Sequence, residues 1–141
     1  RRSVLEIITR ELRTPKGLRS LSPKSDGYQP QCHGTQWQRE QSYYNGSVWP
    51  WLLGPYFEAC IKLYGRSAIS FIENTLIGME EELQQHGVGT VSELFDGNPP
   101  FKGRGAISFA MSVGELLRSL ALLEEAKSKY DTQILPIIRY E

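Results

Sequence analysis

The sequence predicts an all-α fold of about four helices joined by two long connecting segments. Three observations carry that expectation. Apolar residues recur at three- and four-residue steps in separate stretches, and strand-type alternation is nearly absent. The segments 14–46 and 87–105 are also far longer than the two to eight residues usual between packed helices.

The elements follow in order. Val4, Leu5, Ile8 and Leu12 form one apolar stripe, and that helix must stop near Thr14 because Pro15 disfavours helical backbone at the residue before it. A second helix is expected over 47–64, with Ser47 as its cap and Pro50 in its first turn. Pro55 would then lie inside and delete a backbone hydrogen bond at about 3 kcal/mol, so the helix either kinks there or starts late. Ile69, Ile72, Leu76, Met79 and Leu83 define a third helix over 66–86, with Glu73, Glu80, Glu81 and Gln84 on polar positions and His86-Gly87 as a C-terminal cap. Phe109, Val113, Leu116, Leu120 and Leu123 define a fourth over 107–127, with Arg118, Glu124 and Glu125 on the wet side. Residues 133–140 contain Pro136 and read as a terminal tail. The two long segments are not disordered in composition. The first carries Tyr28, Trp37, Tyr43 and Tyr44 and the second Phe95 and Phe101, a pattern that predicts a binding face at one end of the helices.

Composition narrows the function classes. A chain of 141 residues, 40% apolar and 23% charged, fits one globular domain that needs no disulfide or metal to hold it. Sixteen basic residues balance sixteen acidic ones, which argues against a nucleic-acid partner or an anionic membrane surface. The longest apolar stretch, 48–57, is about half a membrane span, and without a charged, apolar, small-residue leader pattern in these residues secretion is not expected. A cytoplasmic setting is expected, with Cys32 and Cys60 as free thiols. Those two cysteines with His33 and His86 make no zinc spacing, so neither metal nor cofactor is expected. The chain opens on Arg1 without an initiator Met and is read as a piece of a longer polypeptide.

Without a phosphate loop or a nucleophile elbow, any chemistry must come from carboxylates. Glu93 stands in Ser92-Glu93-Leu94-Phe95-Asp96-Gly97, where apolar neighbours would partly desolvate it and suit it to taking a proton near neutral pH. The plainer alternative makes Glu93 a solvated loop acid and Asp96-Gly97 only a turn. The run Tyr43-Tyr44-Asn45-Gly46-Ser47-Val48-Trp49-Pro50-Trp51 offers flat aromatic faces and polar tips suited to a sugar, and Gly46 would let a ligand approach the backbone. Equally, Trp49 and Trp51 could be core at a helix start.

Four blocks occur in one order: 12–23 (Leu12-Arg13-Thr14-Pro15-Lys16-Gly17 onward), Tyr43-Tyr44-Asn45-Gly46-Ser47-Val48-Trp49-Pro50-Trp51-Leu52, Ser92-Glu93-Leu94-Phe95-Asp96-Gly97, and Gly105-Ala106-Ile107-Ser108 leading to Ser112-Val113-Gly114-Glu115-Leu116-Leu117-Arg118. Together they resemble the C-terminal amylo-α-1,6-glucosidase domain of glycogen debranching enzymes, over about residues 4–122. The resemblance implies the C-terminal part of an (α/α)6 toroid with a sugar pocket at one end. It also implies inverting hydrolysis of α-1,6-linked glucosyl stubs on a branched α-glucan, by an acid and a base about 6.5–9.5 Å apart. Glu93 is similar in position to the general base, and the acid would come from the preceding part of the same polypeptide. Tyr44, Asn45, Gly46, Trp49 and Trp51 would line the glucose subsite. The chain departs from many members at Tyr44, where they carry His, at Ser47, where they carry Thr, and at Phe109-Ala110-Met111, where they carry Gln-Ala-Trp. Two other readings compete: an α-glucosidase of another linkage, and a glucan-binding or structural helical segment without catalysis.

Overall fold

Pro50 and Pro55 decide where the central helix begins. In the computed structural model, which describes residues 2–131, a 3₁₀ turn over Pro50–Leu52 leads into a helix at Leu53–Tyr64. Pro55 thereby falls in the first turn, where a backbone N–H has no helical acceptor and its loss costs nothing. Ser47 is not the cap. It is fully buried and donates its hydroxyl to the Ser42 carbonyl at 3.0 Å.

The described elements are α1 (Arg2–Glu11), β1 (Arg13–Thr14), β2 (Gly17–Arg19), α2 (Gln36–Tyr44), β3 (Val48–Trp49), α3 (Leu53–Tyr64), α4 (Ile69–Glu80), β4 (Leu94–Phe95), β5 (Gly103–Arg104) and α5 (Ala110–Asp131). Short 3₁₀ turns at Gly65–Ala68 and Glu81–Gln84 bracket α4, and the second carries the chain toward His86-Gly87. The tail expected over 133–140 lies outside the described residues. No described helix is long and apolar enough to cross a membrane.

The all-α expectation is corrected: the fold is helix-rich but mixed. Five short strands form one antiparallel sheet in the order β1-β2-β3-β4-β5, with Leu18 opposite Trp49, Val48 opposite Phe95 and Leu94 opposite Arg104. The reason is length. Strands of two or three residues are too short to display a period-two alternation, and Val48, Trp49, Leu94 and Phe95 are buried at consecutive positions. A fifth helix, α2, also lies inside the segment expected to be a loop. Thr35 starts it with a reciprocal cap: its hydroxyl accepts from the Gln38 N–H at 3.3 Å, and the Gln38 side-chain oxygen accepts from the Thr35 N–H at 2.8 Å.

Helix α3 runs through the middle of the core. Leu53, Phe57 and Cys60 pack with Leu5 of α1, Ile72, Leu76 and Met79 of α4, Leu123 of α5, and Val48 and Phe95 of the sheet. A second, smaller cluster joins Cys32, Trp49 and Leu94, with Tyr43 and Trp51 against it. The sheet therefore lies between the helical core and the aromatic segment, and Glu93 stands immediately before β4, the strand next to its last one.

Candidate functional site

The β4–β5 hairpin fixes Glu93 by its own backbone. The Glu93 N–H donates to the Ala106 carbonyl at 2.9 Å, and the Ala106 N–H returns a bond to Glu93 Oε2 at 2.9 Å. The other carboxylate oxygen, Oε1, accepts the phenolic O–H of Tyr43, which arrives from α2. Gly105 makes this fit possible. Its φ is +70°, and a Cβ there would lie 2.4 Å from Glu93 Oε2. Leu94 and Phe95 are themselves buried in the two apolar clusters, so the groups against the carboxylate are Tyr43, Gly105 and Ala106.

Asp96, two residues on, is more than a turn. Its carboxylate accepts Arg104 Nε at 3.1 Å and Arg104 Nη2 at 2.9 Å, and also takes the Cys32 N–H at 2.9 Å. That bond to Asp96 holds the Arg104 guanidinium pKa above its ordinary value. The pair ties segment 30–32 to the hairpin, helped by Gly97 N–H to the Pro30 carbonyl at 2.6 Å, Tyr28 Oη to Asn98 Oδ1 at 3.0 Å and Arg19 Nε to the Gly97 carbonyl at 2.8 Å. The two long segments of the sequence thus meet at one place.

Tyr43 is held in turn by rings. Trp49 lies edge-on to it at 4.6 Å between centroids and Tyr44 at 4.9 Å, and Trp49 Nε1 donates to the Tyr43 carbonyl at 3.3 Å. Burial, with the Glu93 carboxylate adding to it, pushes the Tyr43 phenol up to about 12. Beside these groups opens a cleft of about 450 Å³, lined by α2 through Gln36, Arg39, Glu40, Tyr43 and Tyr44 and by Cys32, Leu94 and Gly105.

The sequence-predicted residues fall at different depths. Tyr44 lines the cleft and is 72% exposed. Trp49 is buried behind Tyr43, and Trp51 is half-buried against the same cluster. Asn45 ends α2, with its side-chain amide donating to the Gln41 carbonyl at 2.7 Å and its own carbonyl accepting Gln29 N–H at 2.7 Å. Gly46 is approached by the chain itself, since a Cβ there would lie 2.6 Å from the Gln29 carbonyl oxygen. Sequence reasoning missed Tyr43 as the partner of Glu93, and Arg104, Gly105 and Ala106 as its setting. One signal was available: Thr35 followed three residues later by Gln38 marks a helix start, and from it Gln36, Glu40 and Tyr43 fall on one face. Among the described residues no group of His, Cys, Asp or Glu side chains could hold a metal ion, and Cys32 and Cys60 are buried free thiols.

Compared with protein families, residues 1–118 match the one described as Amylo-alpha-1,6-glucosidase. The chain belongs to the amylo-α-1,6-glucosidase family. No individual curated protein matches it. The family match spans Tyr43, Glu93, Asp96, Arg104, Gly105 and Ala106, so the whole carboxylate setting lies inside the glucosidase-type domain.

Proposed function

We propose that this chain supplies the base side of an inverting glycoside hydrolase that removes α-1,6-linked glucosyl stubs from a branched α-glucan, with Glu93 as the general base. The single observation that carries the reading is a carboxylate held by a donor on each oxygen, whose neighbours Tyr43 and Gly105 line a cleft, inside a span that matches the amylo-α-1,6-glucosidase family. Each oxygen keeps an acceptor site, so a water can still be bound. Glu93 takes a proton from that water as its oxygen bonds to the anomeric carbon. The bond from that carbon to the branch oxygen breaks, and an acid from the preceding part of the same polypeptide protonates the leaving oxygen. Inversion needs about 6.5–9.5 Å between the two carboxyl groups to admit the water.

In this reading Tyr44 and the polar face of α2 meet the sugar, whereas Asn45, Gly46, Trp49 and Trp51 shape the wall behind them. The setting is cytoplasmic, where Cys32 and Cys60 stay reduced. Glu93→Gln in the complete polypeptide tests the reading, because the amide keeps the shape and loses the basicity. Glucose release from a branched oligosaccharide is expected to fall by roughly two to four orders of magnitude with substrate binding little changed. A rate near wild type would overturn Glu93 as the base.

A further inference from the structure

We propose that Tyr43 is the positioning residue of Glu93: its phenolic O–H, together with the Ala106 N–H on the other oxygen, fixes the rotation of the carboxylate behind the Tyr43 and Gly105 lining of the cleft. The proposal rests on Glu93 acting as the base. The terminal torsion of a glutamate is broad and nearly two-fold, so nothing in the side chain itself sets the plane of the carboxylate. A base must nonetheless meet its water within a few tenths of an ångström and about 10–20°. Two donors, one on each oxygen, define that plane. The Ala106 donor is backbone and comes with the hairpin, leaving the Tyr43 phenol as the side-chain donor on the carboxylate.

Tyr43 is itself placed to hold rather than to wander. Its ring meets the edge of Trp49 at 85° between planes, and its carbonyl is bound by the Trp49 indole N–H. Helix α2, which carries it, is closed at one end by Thr35 and Gln38 and at the other by Asn45. With the phenol pushed up to about 12, Tyr43 stays a neutral donor near neutral pH. It is therefore a fixed hydrogen bond to the carboxylate and not a competing base.

The test is a double-mutant cycle in the complete polypeptide with α-glucosyl fluoride, whose leaving group needs no acid, so that the rate reports the base side. Tyr43→Phe keeps the ring against Trp49 and removes only the donor. It is expected to lower kcat by roughly 10- to 100-fold, as a slightly misplaced reacting group does, with KM and the thermal midpoint nearly unchanged. In the Glu93→Gln background the same substitution is expected to add no further loss, because the two residues act as one unit. An unchanged kcat for Tyr43→Phe, a loss confined to KM, or an equal loss with and without the Glu93 carboxylate would overturn the role of Tyr43. If Glu93→Gln is inactive and Tyr43→Phe is normal, only this inference fails. If Glu93→Gln is active, the base reading fails and takes this one with it.

Discussion

Glu93 illustrates how a residue's neighbours in space differ from its neighbours in sequence. Leu94 and Phe95 follow it in the chain, but β-strand alternation and the sheet register send them into two apolar clusters, and the carboxylate meets Tyr43, fifty positions earlier, and Gly105, twelve later. Its candidacy was legible because an acid among apolar residues in a long segment is unusual. Its partners were not, since no local pattern announces a contact made across the fold. Gly105 is the sharpest probe at this scale. Gly105→Ala puts a methyl 2.4 Å from Oε2 and forces a side chain into φ +70°, so it must move the carboxylate or the hairpin. We expect a stability loss of about 1–3 kcal/mol and a fall in kcat of roughly 100-fold, read from denaturant unfolding and glucose release on the same preparation. Near-normal kcat would mean that the position of the Glu93 carboxylate is not critical.

Elements were legible where packing imposed a period. Leu5 of α1, Ile72, Leu76 and Met79 of α4, and Leu123 of α5 are core residues at helical spacing, and those three helices were visible from it. Helix α2 was not, because its sequence Gln-Trp-Gln-Arg-Glu-Gln-Ser-Tyr-Tyr buries only Ser42 and so carries no apolar stripe. Helices of this kind depend on their caps. Thr35→Ala should cost about 1 kcal/mol and, with Tyr43 on the same helix, speed hydrogen exchange of the α2 amides roughly fivefold while leaving α4 unaffected. Equal exchange in the two proteins would show that the cap does not hold α2. The strands were invisible for the opposite reason: Val48, Trp49, Leu94 and Phe95 are buried at successive positions, and two-residue pairings leave no alternation to read.

At the scale of the molecule, a helical core built around α3 supports a small sheet, and the β4–β5 hairpin and α2 together hold one carboxylate beside one cleft. The balanced charge fits a neutral ligand such as a glucan better than a polyanion, and family membership points the same way. The central claim is that Glu93 delivers the attacking group from the face opposite the departing oxygen. Replacing it by alanine leaves a space that a small anion can enter, so the decisive measurement is product analysis of Glu93→Ala in the complete polypeptide, with α-glucosyl fluoride and added azide. The account predicts negligible turnover without azide, and with it restored fluoride release and β-glucosyl azide as the product. Wild-type turnover without azide, or formation of the α-anomer, would contradict it.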